Sequence, residues 1–203
     1  GYSCLLKYHN TFSRVVLLGP AHRVPFRGIA VPESQTFMTP LGAVAIDRDA
    51  IKRLIDLPQV HRLDEAHRLE HSLEVQLPFL QVSLDEFSLV PLVVGEAGAE
   101  EVCEVIEALA GDSRTIIIVS SDLSHYHDYA TARRLDAATT RTIEALDIES
   151  LGYEQACGRN PVSGLLLYAR RHGLAATTLD LRNSGDTAGP HDQVVGYGAY
   201  VFS

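Results

Sequence analysis

The sequence predicts a single α/β domain built on a central, mostly parallel β-sheet with helices on its faces. Short apolar runs alternate along the chain with segments in which apolar residues recur at helical spacing. The chain has 203 residues, 46% hydrophobic and 21% charged, a composition that supports one continuous core. It contains no internal repeat, low-complexity tract or interdomain linker, so residues 1–203 are expected to form one domain.

Three short apolar runs predict buried strands. Residues 14–18 read RVVLL, residues 88–94 read SLVPLVV and residues 115–119 read TIIIV. The third run is the clearest buried strand. Pro91 cannot donate a backbone hydrogen bond, which favours an edge position or a bulge in the second strand.

Helical periodicity and terminating residues predict the helices. Apolar residues at i, i+3, i+4 and i+7 from Val102 to Leu109 predict one helix, which Gly111 is placed to end. Asn160 followed by Pro161 is typical of an N-cap and first helical position. The remaining predicted elements are a helix beginning near Glu70, a helix over about 128–146 with Ala132, Leu135, Ala138, Thr139, Thr142 and Ile143 inward, a helix end at Gly173, and strands at 176–181 and 196–202.

Charge, cysteine usage and hydropathy exclude several classes of protein. The formal net charge of -9 and the absence of a long basic run argue against nucleic-acid binding. The three cysteines are scattered and odd in number, which favours a reducing, cytoplasmic setting. The apolar runs are too short to cross a bilayer. We therefore expect a soluble, cytoplasmic protein whose partners are small molecules or peptides.

Unusual polar residues follow two of the predicted strands. His22 comes four residues after the first strand, and Asp122 and His125 follow the third within the segment SSDLSHYH. Each has an ordinary interpretation, as a loop histidine or as a helix cap. Together they predict a site at the carboxyl edge of the sheet, where ligands bind in α/β folds. An aspartate three residues from a histidine can orient its ring for general-base chemistry.

Two further segments carry candidate residues. His71 and Glu74 lie three apart on one predicted helical face, and a surface ion pair is the ordinary interpretation of that spacing. Cys157 precedes a predicted helix start and has Arg159 two residues on, a setting that lowers a thiol pKa and favours a metal-binding or nucleophilic thiolate. Cys103 is interpreted as a packing residue inside its helix.

Six motifs in a fixed order resemble the Memo family, whose bacterial and archaeal branch is called AmmeMemoRadiSam system protein B. The resemblance covers nearly the whole chain. It implies a fold similar to that of class III extradiol dioxygenases, with a metal pocket at one edge of the sheet. The motifs are GPAHR at 19–23, TPLG at 39–42, EHSLEVQLPFL at 70–80, SSDLSHY at 120–126, CGRNP at 157–161 and RNSGDTAG at 182–189.

The resemblance also implies the members of that pocket. His22 and Cys157 correspond to metal ligands of the family, with iron as the first choice and copper or zinc as alternatives. A third ligand is the histidine of a PHAGY motif. Gly1 and Tyr2 resemble the end of that motif, so we expect this ligand, and the segment carrying it, upstream of the given sequence. The catalytic residues implied are His125, Asp122 and His71.

Three functions remain open from the sequence. The first is a non-haem, metal-dependent oxidoreductase of the extradiol type, with His125 as acid/base and Asp122 or His71 as its support. The second is a non-catalytic module that binds a metal or a peptide, since a thiolate stands where the dioxygenases use a carboxylate. The third is a hydrolase in which Cys157 and His125 act together. The metal interpretation also accounts for His22.

Overall fold

The structure is a computed structural model and describes residues 1–203. Its strands are β1 (Arg14–Pro20), β2 (Ile29–Val31), β3 (Thr36–Thr39), β4 (Gly42–Ala45), β5 (Val60–Arg62), β6 (Ser88–Val94), β7 (Thr115–Val119), β8 (His125–His127), β9 (Ala176–Asn183) and β10 (Val194–Phe202). Its α-helices are α1 (Arg48–Leu54), α2 (Asp64–Arg68), α3 (Leu77–Ser83), α4 (Ala99–Leu109), α5 (Tyr129–Glu144) and α6 (Arg159–His172).

The central sheet has five strands in the order β5-β2-β6-β1-β7. Strand β1 runs parallel to both β6 and β7, and β2 runs parallel to β5 and antiparallel to β6. The predicted single-domain α/β fold with a mostly parallel sheet is therefore confirmed. The two predicted strands at the end of the chain, β9 and β10, form a separate antiparallel sheet with β8, and β3 and β4 form a hairpin.

Strand β1 supplies both halves of the core. Val16 and Leu18 point to the face covered by α1, α4 and α6, whereas Val15 and Leu17 point to the opposite face, covered by α3. All four side chains are fully buried. Because each buried aliphatic side chain of this size contributes roughly 1.5–3 kcal/mol, this short segment anchors the sheet between its two helical layers.

Two strand predictions need correction. Strand β7 forms, but it lies at the edge of the sheet and all five of its residues are only half-buried, so it is not the most buried strand. Strand β6 lies inside the sheet despite Pro91. The proline is tolerated because it falls between an isolated bridge at Leu89 and the ladder to β2, which begins at Val93. A missing N–H therefore breaks no ladder on that side.

The helix predictions hold apart from two helix starts. Helix α6 begins at Arg159 behind an N-cap at Gly158, and the Asn160 side chain donates instead to the Gly95 carbonyl at 2.8 Å. The segment from Glu70 forms turns and a short 3-10 helix before α3, although its leucines face the core as expected. Gly173 ends α6 in the left-handed conformation. None of the helices has the length and apolar character needed to span a bilayer.

His67 on α2 is an imidazole held in the neutral form by burial. Its Nε2 lies 3.1 Å from the Ala30 carbonyl of β2, and its Nδ1 is buried without a hydrogen-bond partner. The ring also lies edge-on to Phe37, with 5.9 Å between the ring centroids. Burial lowers the pKa of His67 from 6.5 to about 4.

We expect His67 to make folding stability depend on pH between about 6.5 and about 4. The unfolded chain binds a proton at this residue as the pH falls below about 6.5, whereas the folded chain does not until about pH 4, so stability falls across that window. The loss over the whole window is roughly 3 kcal/mol. Urea unfolding at about pH 7.5 and about pH 4.5 should show a smaller pH dependence in His67→Gln than in the wild type. The exposed His61→Gln is the matched control, and equal pH dependence in both variants would contradict the assignment.

Candidate metal centre

The segment that follows β7 is held between β10 and the start of α6. On one side, the Leu123 N–H donates to the Gly196 carbonyl at 2.9 Å and the Gly196 N–H donates to the Ser124 carbonyl at 2.8 Å. On the other side, the Cys157 N–H donates to the Asp122 carbonyl at 3.3 Å, and the Asp122 N–H donates to the Cys157 Sγ at 3.2 Å. This reciprocal pair fixes the loop and the cysteine to each other.

Three candidate residues meet at this point. One donor atom each from Asp122, His125 and Cys157 lies within 4.8 Å of the other two, and all three residues are half-buried. The His125 Nε2 is 3.4 Å from the Asp122 Oδ2. The carboxylate, imidazole and thiol thus form one compact group at the carboxyl edge of the central sheet. His22 is not a member of that group.

The environment of Cys157 differs from the one expected from the sequence. Burial raises the pKa of the Cys157 thiol and the negative charge of Asp122 also raises it. These effects outweigh the hydrogen bond from the Asp122 N–H and the contact with the Ser121 hydroxyl, which lower it. Arg159 does not lower it. Its guanidinium lies over the Tyr153 ring at 4.4 Å from the centroid, and its Nε donates to the Leu151 carbonyl. The prediction of a thiolate favoured by Arg159 is therefore wrong.

Gly158 is required by the close approach of two segments. Its N–H donates to the Ser121 hydroxyl at 2.9 Å. A Cβ at this position would lie 2.7 Å from the Ser121 Cβ and 2.9 Å from the Ser120 carbonyl oxygen, closer than real atoms approach. The glycine of the CGR segment thus lets the start of α6 lie directly against the loop that carries Asp122.

His22 lies at the same edge and is held by a buried carboxylate. Strand β1, which precedes it, is the parallel neighbour of β7, which precedes Asp122. The Glu70 Oε2 accepts the His22 backbone N–H at 2.6 Å, and the Glu70 Oε1 lies 3.0 Å from the His22 Nδ1. The Glu70 side chain is only 3% exposed. Burial raises the pKa of the Glu70 carboxyl, but its hydrogen bonds from His22 and Ser72 outweigh burial and hold the pKa below the ordinary value.

His71 faces away from this contact. Its Nδ1 lies 2.9 Å from the Glu74 Oε1, and both side chains are about three-fifths exposed, at 62% and 61%. In the EHS segment, therefore, Glu70 rather than His71 contacts a candidate ligand. The family resemblance implied a site role for His71, and spacing alone does not reveal which neighbour faces inward.

Asp136 is a buried carboxylate that the sequence did not predict. It lies on α5 and accepts the Ser124 N–H at 3.0 Å, and a Cβ on Gly196 would overlap its carboxylate. Burial raises the pKa of Asp136. The hydrogen bonds from Ser124 and the nearby imidazoles of β8 lower it, but burial outweighs them. The helical pattern contained the signal. Asp136 falls four residues after the buried Ala132, but an apolar residue was expected on the inner face.

Two tyrosines border the group. Tyr126, between the two histidines of β8, has a φ of 60° and a largely exposed side chain. This left-handed conformation is uncommon for a bulky residue and costs roughly 1–3 kcal/mol. The pairing of β8 with β10 holds the backbone in this conformation. Burial and the negative charge of Asp122 both raise the pKa of Tyr197.

Two cavities lie away from this group. One of about 270 Å³ lies between the β3–β4 hairpin, α2 and α3, and its lining includes His67 and Glu70. The other, of about 400 Å³, opens between the starts of α4 and α6 and is lined in part by Tyr153 and Arg159. Neither is lined by a member of the Asp122, His125 and Cys157 group.

Comparison with known proteins gives consistent matches over nearly the whole chain. The family model described as Memo-like protein matches residues 1–201. A MEMO1 family protein of Archaeoglobus fulgidus is 35% identical over 202 residues, which is 92% of this chain and 75% of that protein. A MEMO1 family protein of Saccharolobus solfataricus is 34% identical over 204 residues, which is 93% of this chain and 71% of that protein.

A solved structure shows the same fold at low sequence similarity. The crystal structure of an uncharacterized protein from Escherichia coli K12 matches with a TM-score of 0.55 and 16% identity. The match covers 97% of this chain and 91% of that chain. At this identity the likeness concerns the fold alone.

We expect Cys157 to react with a thiol reagent at least about tenfold faster than Cys103. Cys103 is fully buried, and burial raises its pKa to about 11, whereas Cys157 is half-buried. Because Cys4 is exposed, a Cys4→Ser variant provides the background. Timed alkylation followed by peptide mass spectrometry gives both rates. Equal rates would show that the Cys157 thiol is less accessible than its surroundings indicate.

Proposed function

The chain belongs to the Memo family, and on this basis we propose that Asp122, His125 and Cys157 bind a first-row transition metal used to oxidise a small-molecule substrate. The observation that carries the proposal is the meeting of three different donor atoms within 4.8 Å of one another. Asp122 and His125 come from the loop that follows β7, and Cys157 joins them from just before α6. They meet at the carboxyl edge of a mostly parallel sheet, where α/β enzymes bind their ligands. His22 is proposed as a fourth donor from the end of β1.

The donor set fits a metal of intermediate softness. Imidazole nitrogen suits iron, copper and zinc, thiolate sulfur favours copper(I), zinc and thiolate-bound iron, and a carboxylate tolerates all of these. The Cys157 Sγ already accepts the Asp122 N–H at 3.2 Å, so a thiolate formed there is partly stabilised by the backbone. Iron is the metal we propose first, with copper and zinc as alternatives.

The residues of the chain would position and desolvate the reacting groups. The reciprocal hydrogen bonds between Asp122 and Cys157 keep the loop and the start of α6 at a fixed separation. Asp136, beneath the loop, holds the Ser124 N–H and thereby fixes the backbone next to His125. A bound metal would supply Lewis-acid or redox chemistry at this point. A histidine at this edge that does not bind the metal would act as a general acid or base.

We expect replacement of any one donor to weaken metal binding by about tenfold or more, since each is held in place by the folded chain. The measurement is an anaerobic titration with Fe(II) and with Co(II) of the wild type and of Asp122→Ala, His125→Ala and Cys157→Ala. The absorption spectrum of the Co(II)-loaded wild type should show a sulfur-to-metal charge-transfer band, and that of Co(II)-loaded Cys157→Ala should not.

The controls are Cys103→Ala and His172→Ala, which remove a thiol and an imidazole distant from the loop. Both should bind like the wild type. If His125→Ala alone keeps full affinity but loses turnover, His125 is an acid/base rather than a ligand. If the wild type binds no better than Cys157→Ala, the metal centre does not exist.

A second candidate is a binding module without turnover. The observation that favours it is that neither of the two cavities described above is lined by Asp122, His125 or Cys157. Catalytic sites usually enclose most of a small substrate, whereas a metal or a peptide can be held at an open edge. In this alternative the same donors bind a metal, and the partner is a peptide rather than a substrate.

Oxygen consumption separates the two candidates. The Fe(II)-loaded protein should consume O₂ in the presence of an oxidisable aromatic diol faster than the Cys157→Ala variant treated in the same way, if it is an oxidoreductase that accepts such a substrate. Product formation in proportion to the O₂ consumed completes the evidence. Tight metal binding without O₂ consumption across a panel of aromatic and aliphatic reductants would favour the binding module.

A further inference from the structure

We propose that Glu70 is a positioning residue that turns the His22 ring so that its Nε2 is presented as a metal ligand. This inference rests on the proposed function and adds a residue that the motif comparison did not single out. It is motivated by two contacts from one buried carboxylate to one residue, the backbone N–H of His22 at 2.6 Å and its Nδ1 at 3.0 Å.

Every near neighbour of the Glu70 oxygens can serve as a donor. Besides its contacts to His22, the Oε1 accepts the backbone N–H groups of His71 and Ser72, each at 3.0 Å. A carboxylate with this set of neighbours can only accept. The contact between Glu70 and the His22 Nδ1 therefore requires the proton of the His22 ring to lie on Nδ1. The buried carboxylate thus selects one tautomer.

The tautomer determines what the other ring nitrogen can do. With the proton on Nδ1, the Nε2 carries a lone pair, and no hydrogen bond from the chain occupies it. The His22 side chain is 46% exposed, so the ring is not enclosed by the chain. A ligating histidine commonly donates its second N–H to a carboxylate, which fixes the ring and makes the ligating nitrogen more basic.

The chain contains a matched pair for comparison. His71 and Glu74 make the same imidazole–carboxylate contact at 2.9 Å, but both side chains are largely exposed and no backbone N–H joins them. An exposed pair of this kind contributes little and is screened by solvent. Glu70, by contrast, joins the end of β1 to the segment before α3 through both backbone and side-chain contacts.

Glu70→Gln is the informative substitution because it keeps the size of the side chain. Whichever way the amide is turned, its NH₂ group faces at least one of the donors that the carboxylate now accepts. If the NH₂ faces the His22 Nδ1, the ring proton moves to Nε2 and the lone pair is lost. If it faces the His22 backbone N–H, the contact that anchors the residue is lost.

The test is a double-mutant cycle on Co(II) affinity under anaerobic, reducing conditions, with wild type, Glu70→Gln, His22→Ala and the double variant. We expect Glu70→Gln to weaken Co(II) binding by about 10- to 100-fold when His22 is present and by less than about 3-fold when it is replaced. Glu74→Gln is the control and should bind like the wild type. Nitrogen NMR of labelled histidine should show Nδ1-protonated His22 in the metal-free wild type.

The outcomes distinguish the inference from the function on which it rests. If His22→Ala weakens binding but Glu70→Gln has no effect, or has the same effect in both backgrounds, Glu70 is at most structural and the positioning role is overturned. If His22→Ala leaves Co(II) affinity unchanged while Cys157→Ala abolishes binding, a metal centre exists without His22, and only the inference fails. If no variant differs from a wild type that does not bind Co(II), the metal function itself is overturned.

Discussion

The parallel alignment of β1 with both of its neighbours determines where the polar residues of this protein meet. Its residues Val15–Leu18 are fully buried and face the two halves of the core in alternation. A shift of one residue would turn each of these side chains to the opposite face, so the register is strongly specified. With that register set, the carboxyl ends of β1 and β7 lie side by side. His22 and Asp122, which follow them, therefore lie at the same edge.

Helix α6 brings the third part of the site to that edge. It lies against α4 and contacts β1 and β7, and its start approaches the loop after β7 closely because position 158 is a glycine. The reciprocal hydrogen bonds between Asp122 and Cys157 depend on that approach. Packing of the core and assembly of the donor group are thus not separable: a change that moves α6 also moves the sulfur.

The sequence predicted the sheet, its parallel character and the edge at which Asp122, His125 and Cys157 meet. These follow from short-range signals, because a buried strand needs a continuous apolar run and the loop residues come directly after it. The sequence did not predict the surroundings of Cys157. Arg159 is two residues from the cysteine, but stacking on Tyr153 and a hydrogen bond to the Leu151 carbonyl turn its guanidinium elsewhere. Such competition between partners depends on positions that no spacing rule contains.

Glu70 and Asp136 were missed for a related reason. Both are charged residues at buried positions, and a pattern analysis treats a carboxylate as a marker of the surface. Each is buried because it accepts backbone N–H groups at the end of a strand or in a loop, which offsets the cost of desolvation. Motifs in the sequence pointed to Asp122, His125 and Cys157, but the sequence could not distinguish a carboxylate that contacts such residues from one that faces water.

Strand β7 has a consequence for how molecules of this chain meet one another. It ends the sheet, it has a strand partner on one side only, and it contains no charged residue from Thr115 to Val119. Natural edge strands are usually protected by lysine, proline or a bulge, because an unprotected edge offers its free N–H and C=O groups to any extended segment. Strand β7 therefore lacks the charged side chains that usually keep an edge strand from pairing with another molecule.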